Sequence, residues 1–89
     1  MNVEHNEQTH RFEIKSEGEV AFLEYRPKDG EIALLHTRVP PPLEGRGLAS
    51  SLATAAFDYA RSHHLQVVVI CPYVAKWLEK HADQRDIVK

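Results

Sequence analysis

The sequence predicts a compact domain of the α/β (α+β) class: an antiparallel meander of three strands, continued by a βαβ unit and closed by a C-terminal helix. Three observations lead to it. Apolar and polar residues alternate between residues 11 and 39, with turn residues breaking the pattern. Leucine, alanine, phenylalanine and tyrosine then recur at helical spacing between residues 48 and 60. Val67-Val68-Val69-Ile70 follows as an unbroken β-branched run, the pattern of a strand that is covered on both faces or centrally placed.

Met1 to His10 is polar and without periodicity, and is expected to be a flexible tail ahead of a single domain over residues 11–89. From Arg11, Phe12 and Ile14 alternate with polar residues in a first strand, and Glu17-Gly18 marks a turn. Val20 and Phe22 alternate with Ala21, Leu23 and Tyr25 in a second strand. Pro27-Lys28-Asp29-Gly30 reads as the hairpin turn, because Asp-Gly suits a backbone of positive φ. Strict alternation along the third strand, Glu31 to Val39, puts Ile32, Leu34, His36 and Arg38 on one face and Ala33, Leu35, Thr37 and Val39 on the other.

Pro40, Pro41 and Pro42 have no backbone N–H, so the third strand cannot continue as a paired ladder. The helix expected from Arg46 to about His63 carries Leu48, Leu52, Ala56 and Tyr59 on one stripe, with small alanines beside them that permit close approach to a sheet. The βαβ unit leaves the third and fourth strands parallel. Pro72 suits a first helical position, so Cys71-Pro72-Tyr73 ends the fourth strand and begins a helix bearing Tyr73, Val74, Trp77, Leu78 and His81 at helical spacing.

Composition narrows the function. The 89 residues carry a net charge of −2, which provides no basic field, so nucleic acid is not an expected partner. No apolar run approaches the roughly 20 residues of a membrane span, and residues 1 to 5 lack the character of a signal peptide, so no membrane partner and a cytoplasmic location are expected. Cys71 is the single cysteine and can form no internal disulfide. Adjacent His63 and His64 would point about 100° apart on a helix, no HExxH occurs, and no metal is expected.

The stretch Leu43-Glu44-Gly45-Arg46-Gly47-Leu48-Ala49-Ser50 is a glycine turn opening a helix, a place where free backbone amides can hold an anion such as phosphate. A Walker loop is excluded because no lysine follows the glycines. A dinucleotide fingerprint lacks its third glycine, Ser50 standing there, and lacks the acidic residue about 20 positions on.

The third strand, this turn, its helix and the strand ending at Cys71 together resemble the acetyl-CoA-binding core of the GNAT N-acetyltransferases, whose loop reads Q/R-x-x-G-x-G/A. Gly47 and Ala49 match its last two positions, and Glu44 stands where glutamine or arginine is usual. Three ordered blocks, His36-Thr37-x-Val39-Pro40, Gly45-Arg46-Gly47-Leu48-Ala49-x-x-Leu52 and Cys71-Pro72-Tyr73-Val74, are similar to very short single-domain GNAT-like proteins of the YjdJ type. That resemblance covers Phe12 to the C-terminus. It implies an acetyl-CoA-dependent N-acetyltransferase acting on an amine, either a small molecule or a protein lysine, as a monomer or weak homodimer. The alternative is a non-catalytic acyl-CoA-binding or sensing module.

The resemblance implies that amides of Gly45, Arg46, Gly47, Leu48, Ala49 and Ser50 hold the pyrophosphate, and that Thr37, Arg38 and Val39 pair with the pantetheine arm. It also implies that Cys71, with Pro72 and Tyr73, lies near the thioester. As the residue before Pro72, Cys71 is an expected N-cap, where a helix N-terminus favours a thiolate. It stands as either nucleophile or site-lining residue. His36 is the candidate base because imidazole titrates near neutrality. Tyr73 is the candidate leaving-group donor, and Lys76 a candidate contact for the adenosine phosphates.

Overall fold

The computed structural model describes residues 2–89. Five strands form one sheet in sequential order: β1 (Glu4–Asn6), β2 (Arg11–Ser16), β3 (Glu19–Lys28), β4 (Glu31–Arg38) and β5 (Gln66–Val69). The first four are antiparallel neighbours, and β4 and β5 are parallel. Helix α1 (Leu48–Ser62) joins them, and α2 (Pro72–Glu79) follows β5. Short 3-10 turns occupy Pro41–Leu43 and Ala82–Ile87. The meander and βαβ unit are the expected architecture.

Residues 4–6 depart from the expected tail. His5 pairs with Phe12 across the β1–β2 ladder, and its ring stacks on Phe12 with centroids 4.4 Å apart. It also meets Tyr59 edge-on at 4.6 Å and shares a hydrogen bond between Nε2 and the Tyr25 hydroxyl. A three-residue strand is too short to show periodicity, and this aromatic seat is assembled only by the fold. Met1 lies outside the described residues.

Pro27 and Lys28, expected in the turn, belong to β3. The β2 partners of β3 end at Glu24, so Pro27 stands where one side of β3 has no strand to donate to, a position proline tolerates.

The core lies between one face of the sheet and the two helices. Phe12 and Ile14 of β2, Ala21, Leu23 and Tyr25 of β3, Ile32 and Leu34 of β4, and Val67 of β5 are buried there. Against them α1 sets Leu52, Ala53, Ala56, Phe57 and Ala60, whose small members bring the helix close. Helix α2 adds Val74, Trp77 and Leu78, with the Trp77 and Phe57 rings 5.2 Å apart. Each of the larger buried side chains contributes about 1.5–3 kcal/mol on transfer from water. Leu43 drives the proline run into this core and is fully buried.

The opposite sheet face is open to solvent. Lys15, Val20, Arg26, Lys28, His36, Arg38 and Ile70 are exposed along it, Ile70 by 58 %. At the C-terminal end Arg61 of α1 clamps Asp86 with two hydrogen bonds of 2.8 and 2.9 Å and Gln84 with a third.

Strict alternation fails in β4. Glu24 pairs with His36 but Tyr25 pairs with Leu34, so Leu35 is the extra residue of a β-bulge. The bulge exchanges the two faces beyond it. Thr37, opposite buried Leu23, shares the helix-covered face with Leu34, while His36 and Arg38, opposite Glu24 and Phe22, turn to the open face. The expected grouping of His36 and Arg38 with Ile32 and Leu34 is corrected accordingly.

Candidate active site

Strands β4 and β5 part after a short ladder. Their register runs from Glu31 opposite Gln66 to Leu34 opposite Val69, and the Leu34 carbonyl takes the last bonds, from the amides of Ile70 and Cys71 at 3.0 and 2.9 Å. Beyond it Leu35 to Arg38 have no β5 partner, because β5 stops at Val69 and Pro72 turns the chain into α2. A slot opens there, with the free edge of β4 on one side and the start of α2 on the other.

Cys71 stands at the mouth of this slot as the N-cap of α2, with extended backbone and 2 % exposure. Its Sγ lies 3.4 Å from Thr37 Oγ1. The contact joins the strand before the glycine turn to the N-cap of α2, and it exists because the Leu35 bulge brings Thr37 to this face.

The glycine turn adjoins the slot. Gly45 and Gly47 both have positive φ, at 81° and 74°, and Gly47 is the N-cap of α1. Among the described residues no side chain caps the helix, its first turn holds no acidic residue, and the first amide after the turn to find a backbone acceptor is that of Ser51, on the Gly47 carbonyl. The amides of Leu48, Ala49 and Ser50 are therefore free donors at a positive helix end. A crevice of about 260 Å³ runs over them, lined by Val39, Glu44, Gly45, Gly47, Ala49 and Tyr73 among others. The free donors and the strand edge next to them fit a molecule with a phosphate end and an amide-bearing arm.

Tyr73 lines this crevice and lies near Cys71. Burial raises its hydroxyl above the usual tyrosine range, opposed in part by a hydrogen bond with Ser50 and reinforced by proximity to Cys71. Ser50 in turn accepts a hydrogen bond of 3.0 Å from Trp77 Nε1, which ties the first turn of α1 to α2.

The sequence candidates thus fall into separate places. Thr37, Val39, Gly45, Gly47, Leu48, Ala49, Ser50, Cys71, Pro72 and Tyr73 surround the slot and crevice. Arg46 is paired with Glu17 at the β2–β3 turn. Lys76 lines a neighbouring crevice with Tyr73, Trp77, Lys80 and His81. Arg38 and His36 face the open side of the sheet, where His36 Nε2 is 4.0 Å from Glu24 Oε1. Sequence reading missed the Ser50–Trp77 tie and the Glu24–His36 pairing, since both depend on registers set in three dimensions. Among the described residues no cluster of three metal-ligating side chains occurs, and no helix is long and apolar enough to cross a membrane.

Comparison with known proteins identifies the family. The model of the GCN5-related N-acetyl-transferase family matches residues 11–87. The chain is 33 % identical over 85 residues to Protein NATD1 of Mus musculus, covering 91 % of this chain and 76 % of that protein. Protein NATD1 of Xenopus tropicalis is 32 % identical, with coverage of 91 % and 77 %. The solution NMR structure of a GCN5-like protein from Staphylococcus aureus superposes with a TM-score of 0.77 at 27 % identity, over 99 % of this chain and 87 % of that one. With a parted β4–β5 pair, free amides at the start of α1 and a family match over nearly its whole length, the chain belongs to the GCN5-related N-acetyltransferase (GNAT) family.

Proposed function

We propose that the protein binds acetyl-CoA in the slot and crevice and transfers the acetyl group to an amine, a small molecule or a protein lysine, in the cytosol as a monomer or weak homodimer. The observation that carries the reading is the free β4 edge from Leu35 to Arg38, flanked by the free amides of Leu48 to Ser50 and by the Cys71–Thr37 contact. The amides supply donors for the pyrophosphate, and the backbone of Thr37 to Val39 supplies a strand edge for the pantetheine amides. The thioester then falls beside Cys71 and Thr37.

In the transfer the neutral amine attacks the thioester carbonyl carbon. A C–N bond forms, the C–S bond breaks, and sulfur leaves with the electron pair as the CoA thiolate. His36 takes the amine proton from the open face of the sheet. Tyr73, kept protonated by burial, donates a hydrogen bond to the thiolate, and solvent completes its protonation. Cys71 lines the site in this scheme: its thiol is buried against Thr37, while imidazole, the base that would activate it, lies on the other face.

The test is incubation with acetyl-CoA and a broad amine library while free CoA is followed. Release above the buffer blank with at least one amine is expected. Tight acetyl-CoA binding with no release across the library would instead support an acyl-CoA-binding or sensing module.

A further inference from the structure

On the open face of the sheet three polar side chains occupy consecutive register positions on neighbouring strands: Arg11 of β2 opposite Glu24 of β3, and Glu24 opposite His36 of β4. Arg11 Nε is 3.8 Å from Glu24 Oε2, and Glu24 Oε1 is 4.0 Å from His36 Nε2, so one carboxylate bridges the guanidinium and the imidazole through its two oxygens. The Arg11 guanidinium lies over the Phe22 ring, 3.9 Å from its centroid, and Phe22 in turn approaches the His36 ring at 5.6 Å. Arg11 Nε is buried and has no hydrogen-bond partner among the described residues, and the Glu24 carboxylate is the anion it faces. Glu13, Arg26 and Arg38 are the other charged groups on this part of the face, and β5 carries Gln66 and Val68 on it.

We propose that Glu24, held by Arg11, is the positioning residue for His36 and that this Arg11–Glu24–His36 row makes the open sheet face the side from which the acceptor amine is deprotonated. The inference rests on the acetyl-transfer reading above. Glu24 faces Nε2, so in the neutral ring it favours the proton on that nitrogen and leaves the Nδ1 lone pair as the base. When Nδ1 takes the amine proton, the imidazolium is stabilised by the carboxylate already beside it. The Leu35 bulge is what makes this possible. It puts His36 on the open face and Thr37 on the covered one, so consecutive residues address a group in the slot from opposite sides.

The test is a double-mutant cycle on the full chain, with the amine that turns over fastest. Glu24→Gln is expected to lower kcat about 10- to 100-fold with the KM for acetyl-CoA unchanged, His36→Ala to lower it by at least as much, and the double variant to be no slower than His36→Ala. Glu24→Asp restores part of the rate. Effects that multiply in the double variant, or a Glu24→Gln enzyme with full kcat, would overturn the proposal. A second readout needs no turnover: nitrogen NMR of the His36 ring should show the Nε2–H tautomer in the wild-type protein and a shift towards Nδ1–H in Glu24→Gln. An identical tautomer ratio in both would also overturn it, whereas that shift in a protein without transferase activity would locate the failure in the acetyl-transfer reading.

Discussion

Thr37 Oγ1 lies 3.4 Å from Cys71 Sγ, bridging the strand that enters the glycine turn and the helix that leaves β5. A cysteine in a buried, hydroxyl-paired setting with no base beside it serves better as a wall than as a nucleophile. Cys71→Ala should therefore retain transfer within about tenfold of wild type. Intact-mass spectrometry during turnover should show no acetyl adduct on the wild-type chain. An acetylated Cys71, or a loss of activity of about a thousandfold in Cys71→Ala, would establish covalent catalysis instead.

Gly47 carries the helix start in a left-handed conformation, φ 74°, and, its chain neighbours aside, no described residue comes within 4 Å of where its Cβ would be. The cost of Gly47→Ala is therefore backbone strain, about 1 kcal/mol, which corresponds to a fall in Tm of about 4–8 °C. The added methyl would enter the crevice over the free amides, so acetyl-CoA affinity should fall on the order of tenfold by calorimetry. A full fall in Tm with unchanged affinity would separate the turn from the binding site.

Glu44 is exposed and lines the same crevice, placing a carboxylate near free amides suited to an anion. Glu44→Gln should tighten acetyl-CoA binding by roughly two- to fivefold at low salt, and the gain should shrink as ionic strength rises. Weaker binding in Glu44→Gln would mean that the carboxylate makes a direct favourable contact.

The seat of β1 should respond to pH at both ends. Burial lowers the His5 ring below the ordinary histidine value of 6.5 and raises Tyr25 from 10.0 to about 12. The unfolded chain therefore binds more protons than the native one as pH falls through 6.5, and stability drops on acidification. Above pH 10 the unfolded tyrosine ionises first, and stability drops again towards 12. Thermal melts of Tyr25→Phe should lack the alkaline loss attributable to this group, and those of His5→Gln should lack part of the acid loss. Melts of both variants that follow wild type across pH would contradict the assignment.

Much of this architecture could be read from the chain because local signals and global fold agree. Asp29-Gly30 closes the β3–β4 hairpin, the alanine-rich stripe of α1 faces the sheet, and Pro72 opens α2. The glycine turn and Cys71 were legible for the same reason, since each sits at an element boundary that residue type alone marks. The bulge at Leu35 was not. Leu34 and Leu35 are both apolar, so alternation does not reveal which one the ladder skips, and a single extra residue reassigns Thr37, His36 and Arg38 between faces. The seat of His5 escaped for a different reason: its partners Phe12, Tyr25 and Tyr59 come from three distant elements.

In the proposed complex acetyl-CoA lies along the free β4 edge with its pyrophosphate on the first turn of α1. Titration of acetyl-CoA into nitrogen-15-labelled protein measures this most directly. The largest amide shifts are expected at Leu35 to Val39, Gly45 to Ser50 and Cys71 to Tyr73, saturating together. No saturable shift at millimolar acetyl-CoA, or shifts confined to the opposite end of the sheet around Lys28, Tyr59 and His63, would contradict it.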